Sequence, residues 1–124
     1  MGLTPTQRTL KKLREMGRES GIVEKFVTNG RFGFRKDLFG FIDIISISEE
    51  DGIVGVQSFG QDFSAHYKKI TEECRDAAIK WLKCGGRIEL WGWRKLKVKR
   101  GGKAMRWKER VYEMTREDFK DDVQ

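Results

Sequence analysis

The sequence predicts a single α/β domain in the order helix, three strands, helix, two strands. Two stretches carry apolar residues at helical spacing, near residues 5–17 and 62–84. Runs rich in β-branched and aromatic residues lie between and after them, divided by Asn29-Gly30, Asp51-Gly52, Gly85-Gly86 and Gly101-Gly102. At 124 residues the chain has the length of one domain, 1–124, with neither an internal repeat nor a linker.

The elements follow in order. Thr4-Pro5-Thr6-Gln7 opens the first helix: Thr4 caps, Pro5 suits the first helical position and Gln7 completes a capping box. Leu10, Leu13 and Met16 mark its apolar face, and Gly17 or Gly21 ends it. Residues 22–27 read as a strand, followed by the hairpin signal Asn29-Gly30. Residues 38–48 are apolar on both parities, the pattern of a strand covered on both faces, with Asp43 its one charge. Residues 53–59 form the next strand after a turn at 49–52. The second helix starts at Asp62 or Ser64 and presents Ile70, Cys74, Ala77, Ala78 and Trp81 on one face. A long hairpin turned at Gly101-Gly102 follows, and the acidic tail 116–124 is expected to fray.

Composition narrows the function classes. With 38% hydrophobic residues, 36% charged residues and one proline, the chain is neither collagen-like nor of low complexity. No apolar stretch approaches the ~20 residues of a membrane span, and residues 1–5 show no secretory signal. The expected location is therefore the cytoplasm, that of the host if the protein is phage-encoded, with no membrane partner. Cys74 and Cys84 fall in one predicted helix, roughly 15 Å apart at ~1.5 Å per residue, too far for a disulfide. One histidine and no CxxC argue against a structural zinc site.

The net charge is +7; residues 86–110 alone carry +8, with ten bases against Glu89 and Glu109, and the rest of the chain nets −1. A localised basic field is the footprint of a polyanion. Arg94, Lys95, Lys97, Lys99, Arg100, Lys103, Arg106 and Lys108 are the expected nucleic-acid contacts. Period two places Lys95, Lys97 and Lys99 on one strand face. Phosphate contacts of this kind give affinity independent of sequence. Trp91, Trp93 and Trp107 are candidates for base stacking, with at least two of them expected in the core.

Asp43 is the most informative residue. A carboxylate within a doubly covered strand is costly unless paired or bound to a cation. A tight turn later, the neighbouring strand brings Gln57 to the same place, and two oxygen ligands together suit Mg²⁺. Pairing of Asp43 with Arg35 or Lys25 is the structural alternative, and Gln57 alone is more often a structural hydrogen-bonding residue. His66 reads as a surface residue.

Ile42-Asp43-Ile44-Ile45-Ser46-Ile47, followed by Val54-Gly55-Val56-Gln57-Ser58-Phe59, resembles the core of the PD-(D/E)XK nucleases. The element order is similar to that of small archaeal-type Holliday-junction resolvases and related phage nucleases, over about residues 4–115. Residues 35–43 and 91–95 resemble phage-type members of the superfamily. The resemblance implies a restriction-endonuclease-like mixed five-stranded sheet flanked by two helices. It also implies a metal-dependent, structure-selective endonuclease acting on branched DNA as a homodimer. The metal would be Mg²⁺ or Mn²⁺, held by Asp43, Gln57, Asp37 and Glu24.

The motif departs from the family at three positions. Ile42 replaces the proline, Gln57 the acid and Phe59 the lysine that orients or activates the attacking water. Lysines migrated to the next helix substitute in this superfamily, so Lys69, or Lys68 beside it, is the candidate. The helix-one glutamate that members often supply has Gln7 in its region, which leaves Glu24 or Asp37 to provide the missing charge. Two other functions fit the same residues: a non-catalytic nucleic-acid-binding protein on the same fold, and a replication or packaging accessory whose basic hairpin docks on RNA or protein.

Overall fold

The computed structural model describes residues 2–120. It is an α/β fold whose five-stranded mixed sheet has the order β1-β4-β5-β6-β7. Helix α1 (Pro5–Glu15) precedes β1 (Glu19–Ile22), and a separate hairpin of β2 (Lys25–Thr28) and β3 (Gly33–Lys36) follows. Then come β4 (Ile44–Ser48) and β5 (Gly52–Phe59). Helix α2 (Phe63–Lys68), a π turn (Lys69–Glu73) and α3 (Arg75–Lys83) lead to β6 (Arg87–Lys97) and β7 (Met105–Met114). The strand expected over 22–27 is split: Ile22 ends β1 of the main sheet, Val23-Glu24 is a link, and residues 25–27 belong to β2 of the separate hairpin, because the chain leaves the sheet edge once Val23 and Glu24 have donated to the Asp43 carbonyl.

Helix α1 begins as its sequence dictates. The Thr4 side chain accepts from the Gln7 N–H at 3.2 Å, and Gln7 Oε1 accepts from the Thr4 N–H at 2.9 Å. Leu13 is fully buried from α1, against Ile44, Val54, Val56, Trp91 and Trp93. The opposite sheet face packs Ile88, Leu90 and Met114 against Ile70 and Ala78. The sheet is thus covered by α1 on one face and by the π turn and α3 on the other, as alternation of side chains across strands requires.

Three further expectations need correction. Residues 38–43 are no strand: Leu38 and Ile42 close a tight loop through paired backbone hydrogen bonds of 2.9 and 3.0 Å, with Phe39 and Gly40 both at positive φ. Phe41 and Ile42 are buried from this loop, so apolarity on both parities reported burial and not extension. The second helix is broken by the π turn, where Cys74 N–H donates to the Lys69 carbonyl at 3.0 Å. Thr71 Oγ1 bonds back to the Tyr67 carbonyl at 3.1 Å, the kind of side-chain competition that disturbs a helix ladder. Cys74 and Cys84 flank α3 and are free.

The third correction concerns the tail. Arg116–Phe119 is a docked 3₁₀ turn capped by Thr115, with Phe119 buried and Asp118 accepting from the Tyr67 and Tyr112 hydroxyls at 2.9 and 2.6 Å. The remainder of the predicted frayed tail, 121–124, lies outside the described residues. Among those described, no helix is long and apolar enough to cross a membrane.

Candidate metal centre and basic arms

The register of the sheet brings the acidic residues together. Ile44 pairs with Val56 in the antiparallel β4–β5 ladder, so Asp43 and Gln57 are next in line at its open end. Asp43 N–H donates to the Val56 carbonyl at 2.8 Å, and the Asp43 carbonyl accepts from Val23 at 2.8 Å and Glu24 at 3.3 Å. Asp43 therefore lies at the mouth of β4 and not in mid-strand, but its place is fixed from both sides. It is 3% exposed.

Asp43 Oδ2 accepts from Gln57 Nε2 at 2.9 Å, from the Ser58 N–H at 2.8 Å and from Ser58 Oγ at 3.3 Å. The same Gln57 Nε2 donates to Asp37 Oδ2 at 3.1 Å, and Lys69 Nζ lies 3.5 Å from that oxygen. Asp37 was expected near Asp43 through shared strand parity. It arrives there because the 38–42 loop folds the chain back on itself. Glu24, in the two-residue link between β1 and β2, completes the group: one carboxylate oxygen each from Glu24, Asp37 and Asp43 lie within 4.8 Å of one another. Arg35 pairs with Glu24 at 2.8 Å and not with Asp43.

The electrostatics follow from this crowding. Burial, and next the neighbouring Asp37, push Asp43 up to about 8. Burial also acts to raise Asp37, but hydrogen bonds with Asp43 and Gln57 and the Lys69 ammonium outweigh it and hold Asp37 below the usual carboxylate range. The pair thus shares one proton, held mainly by Asp43. Gln57 turns its nitrogen to the two carboxylates, which leaves Oε1 buried and without a hydrogen-bond partner. An orphaned buried carbonyl is uncommon and calls for a reason. Rotation of the terminal amide exchanges the two atoms and aims an oxygen into the acidic group.

The donor set fits a hard divalent cation: up to three carboxylates and an amide carbonyl, all oxygen ligands. Lys69 is the cation nearest to Asp37, whereas Lys68 is exposed. Phe59, at the motif's lysine position, is buried against Phe63 and stacks on His66 with centroids 4.3 Å apart. His66 is half-buried and not on the surface as expected; burial, and then the Lys69 charge, lower its pKa.

Sequence reasoning missed two residues, Ser58 and Thr6. Ser58 holds Asp43 through two donors, and its Oγ lies 3.0 Å from Thr6 Oγ1 in the first turn of α1. Only the alternation after Gln57 could have pointed to Ser58. Thr6 and Gln7 also line a cavity of about 380 Å³ with Glu24, Phe26 and Arg35, which places Gln7 near the acidic group without bonding to it.

All eight basic residues expected to contact nucleic acid are exposed. The register divides them between faces: Arg94 opposes Lys108 and Leu96 opposes Arg106 on one, while Lys95 opposes Trp107 and Lys97 opposes Met105 on the other. The strand ends at Lys97, so Lys99 lies in the turn and not on the face of Lys95 and Lys97. Trp91 and Trp93 are core residues. Trp107 is covered by Arg8 at 4.4 Å and Lys95 at 5.4 Å from its ring centroid, which satisfies its π-face with the protein's own cations.

The topology places these parts at one end of the sheet. β1, β5 and β6 run in the same direction, and β5 ends opposite Gly92. Beyond that row β6 and β7 continue past β5 as a two-stranded arm, held at its base by α1 through Lys12–Glu109 and Arg8–Trp107, while the β2–β3 hairpin leaves from the end of β1. The acidic group lies between them: Glu24 and Asp37 flank the β2–β3 hairpin, and Asp43 sits at the mouth of β4 beside Gln57 of β5. Comparison with known proteins gives no match for this chain among family models, curated proteins or solved structures.

Proposed function

We propose that the protein is a metal-dependent endonuclease that hydrolyses phosphodiester bonds in branched DNA. Its frame would be of the restriction-endonuclease-like type and its working form a homodimer, since two copies about a two-fold axis suit a four-way junction. The observation that carries this reading is the convergence of Glu24, Asp37 and Asp43, from three separate segments, within 4.8 Å between two basic arms.

Asp43, Asp37 and Glu24 would hold the ion, with the Gln57 carbonyl as a neutral ligand after its amide turns. Bound Mg²⁺ supplies a Lewis acid for the phosphate and lowers the pKa of a water. Ser58 would keep Asp43 oriented through its two hydrogen bonds, and Lys69, 3.5 Å from Asp37, would balance its charge and orient the attacking water. The exposed lysines and arginines of the β6–β7 arm would hold phosphates without reading bases.

One observation favours the non-catalytic alternative: the Gln57 amide donates to both aspartates and closes the group on itself. The test is incubation of labelled four-way junction, flap and linear duplex DNA with Mg²⁺ or Mn²⁺. The proposal expects cleavage of branched substrates that needs both the metal and Asp43. Binding without cleavage by any substrate and metal would select the non-catalytic reading.

A further inference from the structure

We propose that the β2–β3 hairpin is a stacking platform for unpaired bases of a DNA strand, with Phe26 the ring that meets the base nearest the acidic group. This rests on the nucleic-acid half of the reading above and adds the feature of the substrate that is recognised.

Residues 25–36 carry Lys25, Arg31, Arg35 and Lys36 and no acid, so the hairpin is a second basic element beside the β6–β7 arm. Among those cations stand Phe26, Phe32 and Phe34, which are 66%, 71% and 52% exposed. Single exposed apolar residues are ordinary on a protein surface. Three phenylalanines on one acid-free hairpin are a different composition, and the register sets Phe26, opposite Arg35, on the face of Gly33 and Phe34, opposite Val27, on the other face. Cations alternating with open aromatic rings are what a single-strand groove uses: the cations follow the phosphates and the rings stack on the bases. Of the three tryptophans in β6 and β7, two are buried, and Trp107, 39% exposed, already carries Arg8 and Lys95 over its ring.

Phe26 is the ring prepared for the task. It lies against the backbone of Gly33, where any Cβ would collide with it. The ring is therefore backed by the chain, while it also lines the cavity shared with Glu24 and Arg35. A ring already held in place loses little freedom when a base arrives. Glu24 belongs to the acidic group, so a base on Phe26 places its strand beside the carboxylates. A blunt duplex keeps its bases stacked on one another and offers no free base face to the ring. The hairpin's +4, with no acid within it, complements the phosphates of a strand.

The test is fluorescence anisotropy in EDTA, with a labelled single strand of about 20 nucleotides, longer than the roughly 4–16 one small fold tracks, and a blunt duplex of the same sequence. Phe26→Ala with Phe32→Ala should weaken single-strand binding by about 5-fold or more for each ring that stacks. Duplex affinity should stay unchanged, and Phe26→Trp with Phe32→Trp should retain single-strand binding. Equal loss on both DNAs, or no loss on the single strand, overturns the platform. So does a double alanine variant that keeps single-strand binding but no longer binds phosphatidylserine vesicles, or that turns a dimer into a monomer. EDTA separates this result from cleavage: a wild type that discriminates as expected yet cuts nothing with Mg²⁺ supports the platform and ends the nuclease reading.

Discussion

Asp43 accepts three hydrogen bonds and still keeps its proton to about pH 8, because burial and the adjacent Asp37 both disfavour its anion. In the unfolded chain the same group titrates near the ordinary ~3.9. The folded state therefore binds the proton more tightly. Its stabilising contribution is complete below about pH 4 and is lost as pH rises through about 8. Thermal unfolding of the metal-free protein should show Tm falling between pH 6 and pH 8 and levelling above that, and Asp43→Asn should flatten the fall. A metal ion competes with the same proton, so Mn²⁺ affinity should rise with pH and level off above about 8.

Cleavage should respond to the same residues. Removal of a group behind a metal ligand costs roughly 10–100-fold. Ser58→Ala should fall in that range, and Asp43→Asn should exceed it while circular dichroism shows an unchanged fold. The sequence pointed to Asp43 because a lone charge in an apolar run needs a partner. It could not point to Ser58, whose role depends on a backbone N–H and a hydroxyl meeting the same carboxylate oxygen.

Among the elements, the proposed function assigns separate roles to the π turn and the β6–β7 arm. The π turn starts at Lys69 and leaves Lys68 exposed, so Lys69→Ala should lower the cleavage rate and Lys68→Ala should not. Duplex binding should be unchanged in both, which separates positioning of water from loss of a phosphate contact. In the arm, each of Lys95, Lys97 and Lys99 that neutralises a phosphate should, when changed to alanine, reduce the slope of log K against log salt by about 1. The effect should be equal on unrelated sequences. Most element boundaries were legible from caps and glycine turns: Thr4, Gly52, Gly85 and Gly101 each act as the sequence suggests. The 38–43 loop was not, since a buried loop and a doubly covered strand share one apolar pattern. Phe39-Gly40 was the available signal, and both residues adopt positive φ.

At the scale of the molecule, two kinds of buried charge must be told apart. Arg18 meets Glu89 in a bidentate pair at 2.9 and 3.1 Å, both side chains nearly buried, and also meets Asp51 at 3.1 Å. That pair neutralises itself and lies within the fold, so Glu89→Ala should cost about 3–5 kcal/mol of stability in denaturant unfolding. Glu24, Asp37 and Asp43 have three acids against Lys69 and Arg35, and they lie between the two basic arms. The sequence made the β6–β7 arm legible through its charge. The +4 of residues 25–36 was hidden because acids elsewhere cancel it in the sum. Strand order then decides what composition alone cannot: it brings both arms and the acidic group to one end of the sheet. The most direct measurement of whether that acidic group is a metal centre is isothermal titration of Mn²⁺ into the wild type and Asp43→Asn at pH 8. A saturable site in the wild type that is absent from an equally folded variant is the result expected; no saturable binding, or equal binding by both proteins, would contradict it.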